Sequence, residues 1–281
     1  MLEIGKQFSV EAVEEMVGKC VRIGCVALVV LGALGCDDKK PTAPLGPAVS
    51  SLAASPVAPS AKAIKFNVDA KSTSSIDMPA PKQHIKAVTD VAVGSLSIDV
   101  MNLNASRGEI KMDLASLATK TWGNGDDAQQ TKDARCWLEV ECEEGKLADD
   151  MKANNRYAVY AIRSVENASA TDLTKVPATK EGDEEVRKVT LTTKGELLIH
   201  GHKVERDAEA EVTFHYAPGA DASKPKSLEI KTKKPLRVVL AEHDVKPRDN
   251  FGKIAKGAFN LLGTKVADNV DITLDIKAKS E

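Results

Sequence analysis

The chain has 281 residues, a formal net charge of -2, 28% charged residues and only 4% aromatics. That length holds one large β domain with extra segments, or two small domains. Near-neutral charge and scarce aromatic rings argue against a nucleic-acid binder, and the mixed composition fits a globular body behind a disordered leader.

The leader is read first. Val26 to Gly35 is an apolar run of about ten residues, too short for a membrane-spanning helix and the right length for a signal-peptide core. Lys19 and Arg22 precede it, and Ala33-Leu34-Gly35 leads into Cys36, as in a bacterial lipobox with Ala33 and Leu34 in swapped order. Residues 1–36 are therefore expected to be a signal peptide, with Cys36 acylated, for instance by palmitate, as the membrane anchor of a lipoprotein. Glu3, Glu11, Glu14 and Glu15 are acidic where such a peptide is basic, so Met16 is the expected start. Residues 37–62, with Pro41, Pro44, Pro47, Pro56 and Pro59 among Ala and Ser, bury too little to offset chain entropy and form a disordered tether.

The body spans 63–281. Ile64 to Ala70 reads as a strand, Ser72 to Ile85 as a polar connection broken by Pro79 and Pro81, and Val88 to Val100 as a strand with Gly94 at a bend or bulge. Glu109 to Leu114 alternates. Asp126 or Asp127 is expected to cap a helix running to Trp137, with a second helix over Glu143 to Lys152. Tyr157 to Val165 is rich in β-formers, Ala168 to Glu185 is irregular, and Val186 to Thr193 is a strand leading into a hairpin over Gly195 to Tyr216. In that hairpin Ala208, Ala210, Val212, Phe214 and Tyr216 share one face, with Asp207, Glu209, Glu211, Thr213 and His215 on the other. Ser227 to Lys233, Leu236 to Ala241 and Val270 to Ala278 are further strands, and Phe251 to Leu262 holds a short helix. The fold class is all-β: about eight antiparallel strands with short helical insertions, closed as a barrel or stacked as a sandwich, which alternation alone does not separate.

Several stretches resemble the YceI-like domain family, exported β-barrels of lipocalin-like shape. They are Phe66-Asn67-Val68-Asp69 with Lys71-Ser72; Asp113 to Thr119; Asp133 to Leu138; Arg248-Asp249-Asn250-Phe251-Gly252; and above all Gly195 to Lys203, similar to the family's Gly-x-Leu-x-Ile-x-Gly signature. The resemblance covers about residues 63 to 280, with insertions around Glu143 to Asn154 and Ser169 to Glu185. It implies a lipocalin-like barrel facing the periplasm, whose apolar interior holds a polyisoprenoid or other lipid-like amphiphile. Tyr157, Val159, Val212, Phe214, Ile272 and Leu274 would line it. The same residues would equally fill a solid core.

Chemistry-bearing residues are sparse. His200 and His202 flank Gly201 without a third ligand at useful spacing, so a surface turn is expected and no metal site. Cys136 and Cys142 are expected to pair as a structural disulfide, because their spacing is not that of a redox Cys-x-x-Cys motif. Asp244, Arg248, Asp249 and Lys253 form a charged cluster, read as a solvated loop or a binding-mouth rim. No catalytic motif and no cofactor fingerprint appears. The expectation is a lipid-anchored binding protein of the bacterial cell envelope, not an enzyme, without cofactor or nucleic acid, its oligomeric state open. A filled barrel acting through its surface in envelope structure or stress is the alternative.

Overall fold

The longest elements form where the sequence alternates for longest. In this computed structural model, which describes residues 59–79, 84–142, 147–246 and 267–281, β9 (Glu184–Ile199) and β10 (His202–Tyr216) pair along their whole length. The expected strand from Val186 is thus the first part of one 16-residue strand running into the hairpin. Only His200 and Gly201 separate the two, both at positive φ (51° and 76°), the backbone twist that two-residue hairpins favour. Ala208, Ala210, Val212, Phe214 and Tyr216 are all buried, as their alternation requires.

Around this hairpin the sheet closes. The strands β1 (Ile64–Val68), β4 (Ala92–Ile98), β5 (Arg107–Asp113), β7 (Tyr157–Glu166), β9, β10, β11 (Ser227–Thr232) and β13 (Asn269–Ser280) pair in that order. β13 then returns to β1 through Ala278 to Ser280 against Val68 to Phe66. Every pairing is antiparallel. The fold is therefore the expected all-β ring of eight strands, and closure leaves these strands no free edge.

The remaining strands come from the forking of the ring at one end. β13 is longer than its partners: its second half pairs with β1 and β11, its first half with β2 (Thr73–Pro79) and β12 (Leu236–Val239). β1 and β2 are thus one strand path kinked at Asp69 to Ser72, and β11 and β12 another, kinked before Pro235. A hydroxyl repairs the β13 ladder at each kink. Ser72 Oγ accepts the Lys277 N–H (2.9 Å) and donates to the Asp69 carbonyl (2.7 Å), while Thr232 Oγ1 accepts the Leu274 N–H (3.0 Å). β3 (His84–Thr89) pairs with β2 and with the two-residue β6 (Ala118–Thr119).

Past Asp113 the path of β5 turns through a 3₁₀ turn, Leu114–Ser116, and no longer follows β7. Asp113, 4% exposed, holds this divergence: it accepts the Ala115 N–H (2.9 Å) and a two-pronged contact from the Arg156 guanidinium (3.0 and 2.7 Å). The helix α1 (Asp126–Trp137) follows, and α2 (Asp149–Asn155) precedes β7.

Several expectations are corrected. The polar stretch from Ser72 contains β2, because a strand that ends at Pro79 loses no ladder donor beyond it. Val88 to Val100 is two strands split at Asp90 and Val91. Gly94 is no bulge. It pairs in register with Ile110, and a Cβ there would stand 2.1 Å from the Glu109 carbonyl oxygen. Neither Asp126 nor Asp127 caps α1, whose N-cap is Gly125; both acids lie in its first turn, where they complement the helix dipole. α2 begins at Asp149, later than expected, and Ala168 to Glu185 holds a short strand β8 (Thr179–Glu181). Cys36, the tether up to Ala58, the Phe251 to Leu262 helix and the Arg248 to Lys253 cluster lie outside the described residues.

Candidate functional site

The ring interior is not uniformly filled. Where it closes on itself, Phe66, Leu96, Leu103, Phe214, Tyr216 and Ile276 are almost wholly buried and the cavity among the side chains is only about 60 Å³. Toward the forked end the strands diverge, and a cavity of about 150 Å³ lies between β2, β3, β5, β7, β9, β12 and β13. Its wall is overwhelmingly apolar: Ile76, Met112, Leu197, Ile199, Val238 and Ile272 are typical members. α1 contributes Ala134 and Trp137 where strand pairing between β6 and β7 is missing, and Leu138 follows.

Tyr160 stands between the two cavities, lining both together with Ile110 and Leu274. Its hydroxyl lies 2.9 Å from Thr193 Oγ1 and donates toward the carbonyls of Thr193 (3.2 Å) and Arg206 (3.0 Å). Burial pushes its pKa up to about 12, so the hydroxyl stays protonated. Gly195 makes this placement possible. A Cβ at that position would lie 2.7 Å from the Tyr160 ring and 2.5 Å from the Ala161 carbonyl oxygen. The first glycine of the Gly195 to Gly201 signature thus clears space for the partition, Leu197 and Ile199 face the larger cavity, and Gly201 completes the turn.

A groove of about 420 Å³ lies outside the larger cavity and shares Met78, Ile85, Ala134 and Trp137 with it. Trp122, 48% exposed, forms part of its wall. The loop carrying Trp122 is held by Asp127, which accepts the N–H groups of Thr121 (2.9 Å), Trp122 (3.0 Å) and Gly123 (2.7 Å). Those donors, the Trp122 N–H foremost, hold the Asp127 carboxyl below the usual range. Groove, cavity and inner lobe are neighbours, each sharing wall residues with the next.

Of the six residues expected to line a cavity, Ile272 and Leu274 face the larger one, and Val212, Phe214 and Leu274 the smaller. Tyr157 and Val159 line neither: they sit in the opposite phase of β7, and Ala158 and Tyr160 take the inward positions. The segment Tyr-Ala-Val-Tyr-Ala-Ile is apolar on both faces, so alternation had no polar face to mark the outside. Val159 is nonetheless 7% exposed, and Leu198, its neighbour on β9, 8%. The sequence also missed His243, which is wholly buried in the cavity wall within the 3₁₀ turn Leu240–His243.

Cys136 and Cys142 form a disulfide, with Cα atoms 4.6 Å apart. Cys136 lies in the last turn of α1 and Cys142 beyond its end, so one straight helix does not carry both.

The two-histidine turn differs from expectation in its surroundings. The His200 side chain is only 7% exposed: its Nε2 lies 2.7 Å from Glu139 Oε2 and its Nδ1 3.1 Å from the His243 carbonyl. Asp244, far away in sequence, brings a carboxylate to His200 and His202, with ligand atoms within 4.8 Å of one another. An ion pair with Lys246, first of all, holds the Asp244 carboxyl below its usual range. Both nitrogens of His200 and the Asp244 carboxylate thus already have partners, which a cation would have to displace.

No protein-family model matches the sequence, and no curated protein matches it. Among solved structures, the chain is similar to a polyisoprenoid binding domain from Saccharophagus degradans implicated in plant cell wall breakdown: 14% identity over 78% of this chain and 99% of that one, TM-score 0.46. It is also similar to Burkholderia cenocepacia BcnA, at 15% identity over 75% of this chain and 99% of that one, TM-score 0.43. A Campylobacter jejuni YCEI protein matches at 10% identity over 69% of this chain and 84% of that one, TM-score 0.36. The last of these carries the name of the family that the sequence resembles.

Proposed function

We propose that this chain is a binding protein that holds a lipid-like or polyisoprenoid amphiphile by burying its apolar part, without bond chemistry. The observation that carries the reading is the apolar cavity itself, which adjoins the outer groove and, across Tyr160, the smaller lobe. A chain entering by the groove passes Asp126, Gln129, Gln130 and Asp133 on one side before it meets the hydrocarbon wall of the cavity. Each CH₂ removed from water contributes about 0.8 kcal/mol, so a five-carbon isoprene unit contributes about 4 kcal/mol when fully buried. Site volume limits how much of the chain enters at once: an apolar cavity near 150 Å³ holds a group of about benzene size, so a longer ligand runs out along the groove past Trp137 and Trp122. The resemblance carried by Gly195 to Lys203 supports the same ligand class.

The proposal places the protein in a bacterial envelope, anchored through acylated Cys36 and held off the membrane by residues 37–62. Incorporation of labelled palmitate that disappears in Cys36→Ala tests the anchor. The carrier reading is tested by native mass spectrometry of the chain purified from envelope fractions, followed by organic extraction. A stoichiometric apolar mass supports it. A clean apo mass that takes up no added isoprenoid overturns it in favour of a filled fold acting through its surface.

A further inference from the structure

The turn of the β9–β10 hairpin gathers ligand atoms that no single stretch of sequence contains. His200 and His202 stand on either side of Gly201, their rings stacked with centroids 6.3 Å apart. The 3₁₀ turn Leu240–His243 packs against both, and Asp244 follows it. One ligand atom from each of His200, His202 and Asp244 lies within 4.8 Å of the other two. Glu139, His200 and Asp244 all hold left-handed backbone, at φ 54°, 51° and 52°, which non-glycine residues seldom adopt.

The His200 ring shows what the cluster is short of. A neutral imidazole carries one N–H. His200 faces an acceptor at each nitrogen: Glu139 Oε2 lies 2.7 Å from Nε2, and the His243 carbonyl oxygen 3.1 Å from Nδ1. The contact to the carboxylate is shorter and charge-assisted, so Nε2 takes the proton. The Nδ1 lone pair then faces a carbonyl oxygen, with the Asp244 carboxylate within 4.8 Å of the ring, and this arrangement calls for a positive charge. A carboxylate behind the other ring nitrogen is also how metal-bound histidines are generally oriented. Asn155 Nδ2 donates in turn to Glu139 Oε2 at 3.2 Å, and the Glu139 side chain is only 7% exposed.

We propose that His200 Nδ1, a ring nitrogen of His202 and the Asp244 carboxylate bind one divalent transition-metal ion of the zinc type, with Glu139 orienting His200 from behind. Two imidazoles and a carboxylate are a set that zinc accepts, its fourth position being left to solvent. Ligand atoms around a tetrahedral zinc stand about 3.3 Å apart, given bonds of about 2.0–2.1 Å. The cluster closes to that spacing by rotation of the exposed His202 and half-exposed Asp244 side chains. The ion displaces two present partners, the His243 carbonyl from Nδ1 and the Lys246 ammonium from Asp244. The second of these joins two half-exposed side chains and is weakly held. The bound ion ties the hairpin turn to the segment that carries Leu240, His243 and Val245 into the cavity wall, and stiffens that end of the ring. The site stands independently of the carrier reading.

The test titrates zinc into the untagged full chain after a chelator has stripped it, with native mass spectrometry for stoichiometry and a chelating dye as competitor for affinity. One ion per chain is expected. Glu139→Gln should weaken binding by about tenfold through misorientation of His200, and His202→Ala and Asp244→Asn by more. Lys246→Met should tighten binding, because it removes the competing ammonium, an effect opposite in sign to a general loss of structure. Cobalt in place of zinc provides a second readout: visible absorption of the four-coordinate type is expected in the unaltered protein and absent from His202→Ala. Glu139 is buried, so the decision rests on the surface variants, whose metal-free melting curves should match that of the unaltered chain. Absence of stoichiometric zinc, or zinc held equally well by His202→Ala and Asp244→Asn, overturns the inference and leaves the carrier reading untouched.

Discussion

The two ends of the ring use the same strands and finish differently. At the closed end β1, β4, β11 and β13 pair edge to edge, and the interior is packed by Phe66, Phe214, Tyr216 and Leu228, each no more than 2% exposed. At the forked end the same strand paths kink at Asp69 to Ser72 and before Pro235, the wall passes to β2, β3, β12 and α1, and the space between them stays partly empty. Close packing at one end supplies rigidity, and loss of strand pairing between β6 and β7 at the other supplies volume. The proposed binding role needs both, and here they lie along one set of strands.

The largest test of that difference is truncation. Phe214→Ala at the closed end is expected to destabilise by about 4 kcal/mol, since its neighbours cannot collapse into the space. Ile272→Ala, half-buried beside the larger cavity, is expected to cost about half as much. Urea unfolding of both variants measures the contrast, and equal losses would break it. The disulfide comes next. Replacing Cys136 and Cys142 together by Ser is expected to cost about 2 kcal/mol from restored loop freedom, and to weaken ligand uptake because Trp137 and Leu138 lie inside the closed loop and in the cavity wall.

Filling experiments sharpen the comparison in the opposite sense. Ala158→Phe projects into the larger cavity and is expected to change stability by less than about 1 kcal/mol while abolishing uptake of farnesol. Ala210→Phe, facing the small lobe, is expected to destabilise by about 2 kcal/mol through overpacking. Paired thermal melts and native mass spectra read both effects.

The smallest effect is on pH. The folded pKa of His243 is depressed by burial, so the unfolded chain binds this proton more readily. Above the unfolded value, about 6.5, the group adds no pH dependence. As the pH falls below it, stability declines until the folded ring also protonates at its lower pKa. His243→Phe should flatten that limb of a stability-against-pH curve. Asp127 acts at a lower pH: its carboxylate stabilises the Trp122 loop above about pH 4, and that contribution is lost as the pH falls through its depressed folded pKa.

Much of the fold is legible in residues such as Ala208 to Tyr216 and Val270 to Ile276, where polar and apolar side chains alternate and the wet face marks the dry one. Tyr157 to Ile162 was misread for the opposite reason: with apolar residues on both faces, only the pairing of Gly108 to Asp113 with Ile162 to Tyr157 assigns Tyr160 inward and Val159 outward. β2 was missed because Ser74, Ser75 and Asp77 look like a loop, yet Ser74 bonds Thr89 across the ladder. Gly195 could be noticed as part of a signature, but its role next to the Tyr160 ring requires two strands brought side by side.

By itself the sequence determined the class of the fold and the buried face of its clearest strands, because period-two alternation is a local property of the chain; it offered Cys136 and Cys142 as a candidate pair, which the structure joins. Only the tertiary structure decided that the ring closes at one end and forks at the other, that Tyr160 divides its interior, and that His243 is buried in the wall of the larger cavity. Those outcomes depend on register between strands far apart in sequence, and a one-residue shift in register exchanges the two faces of a strand.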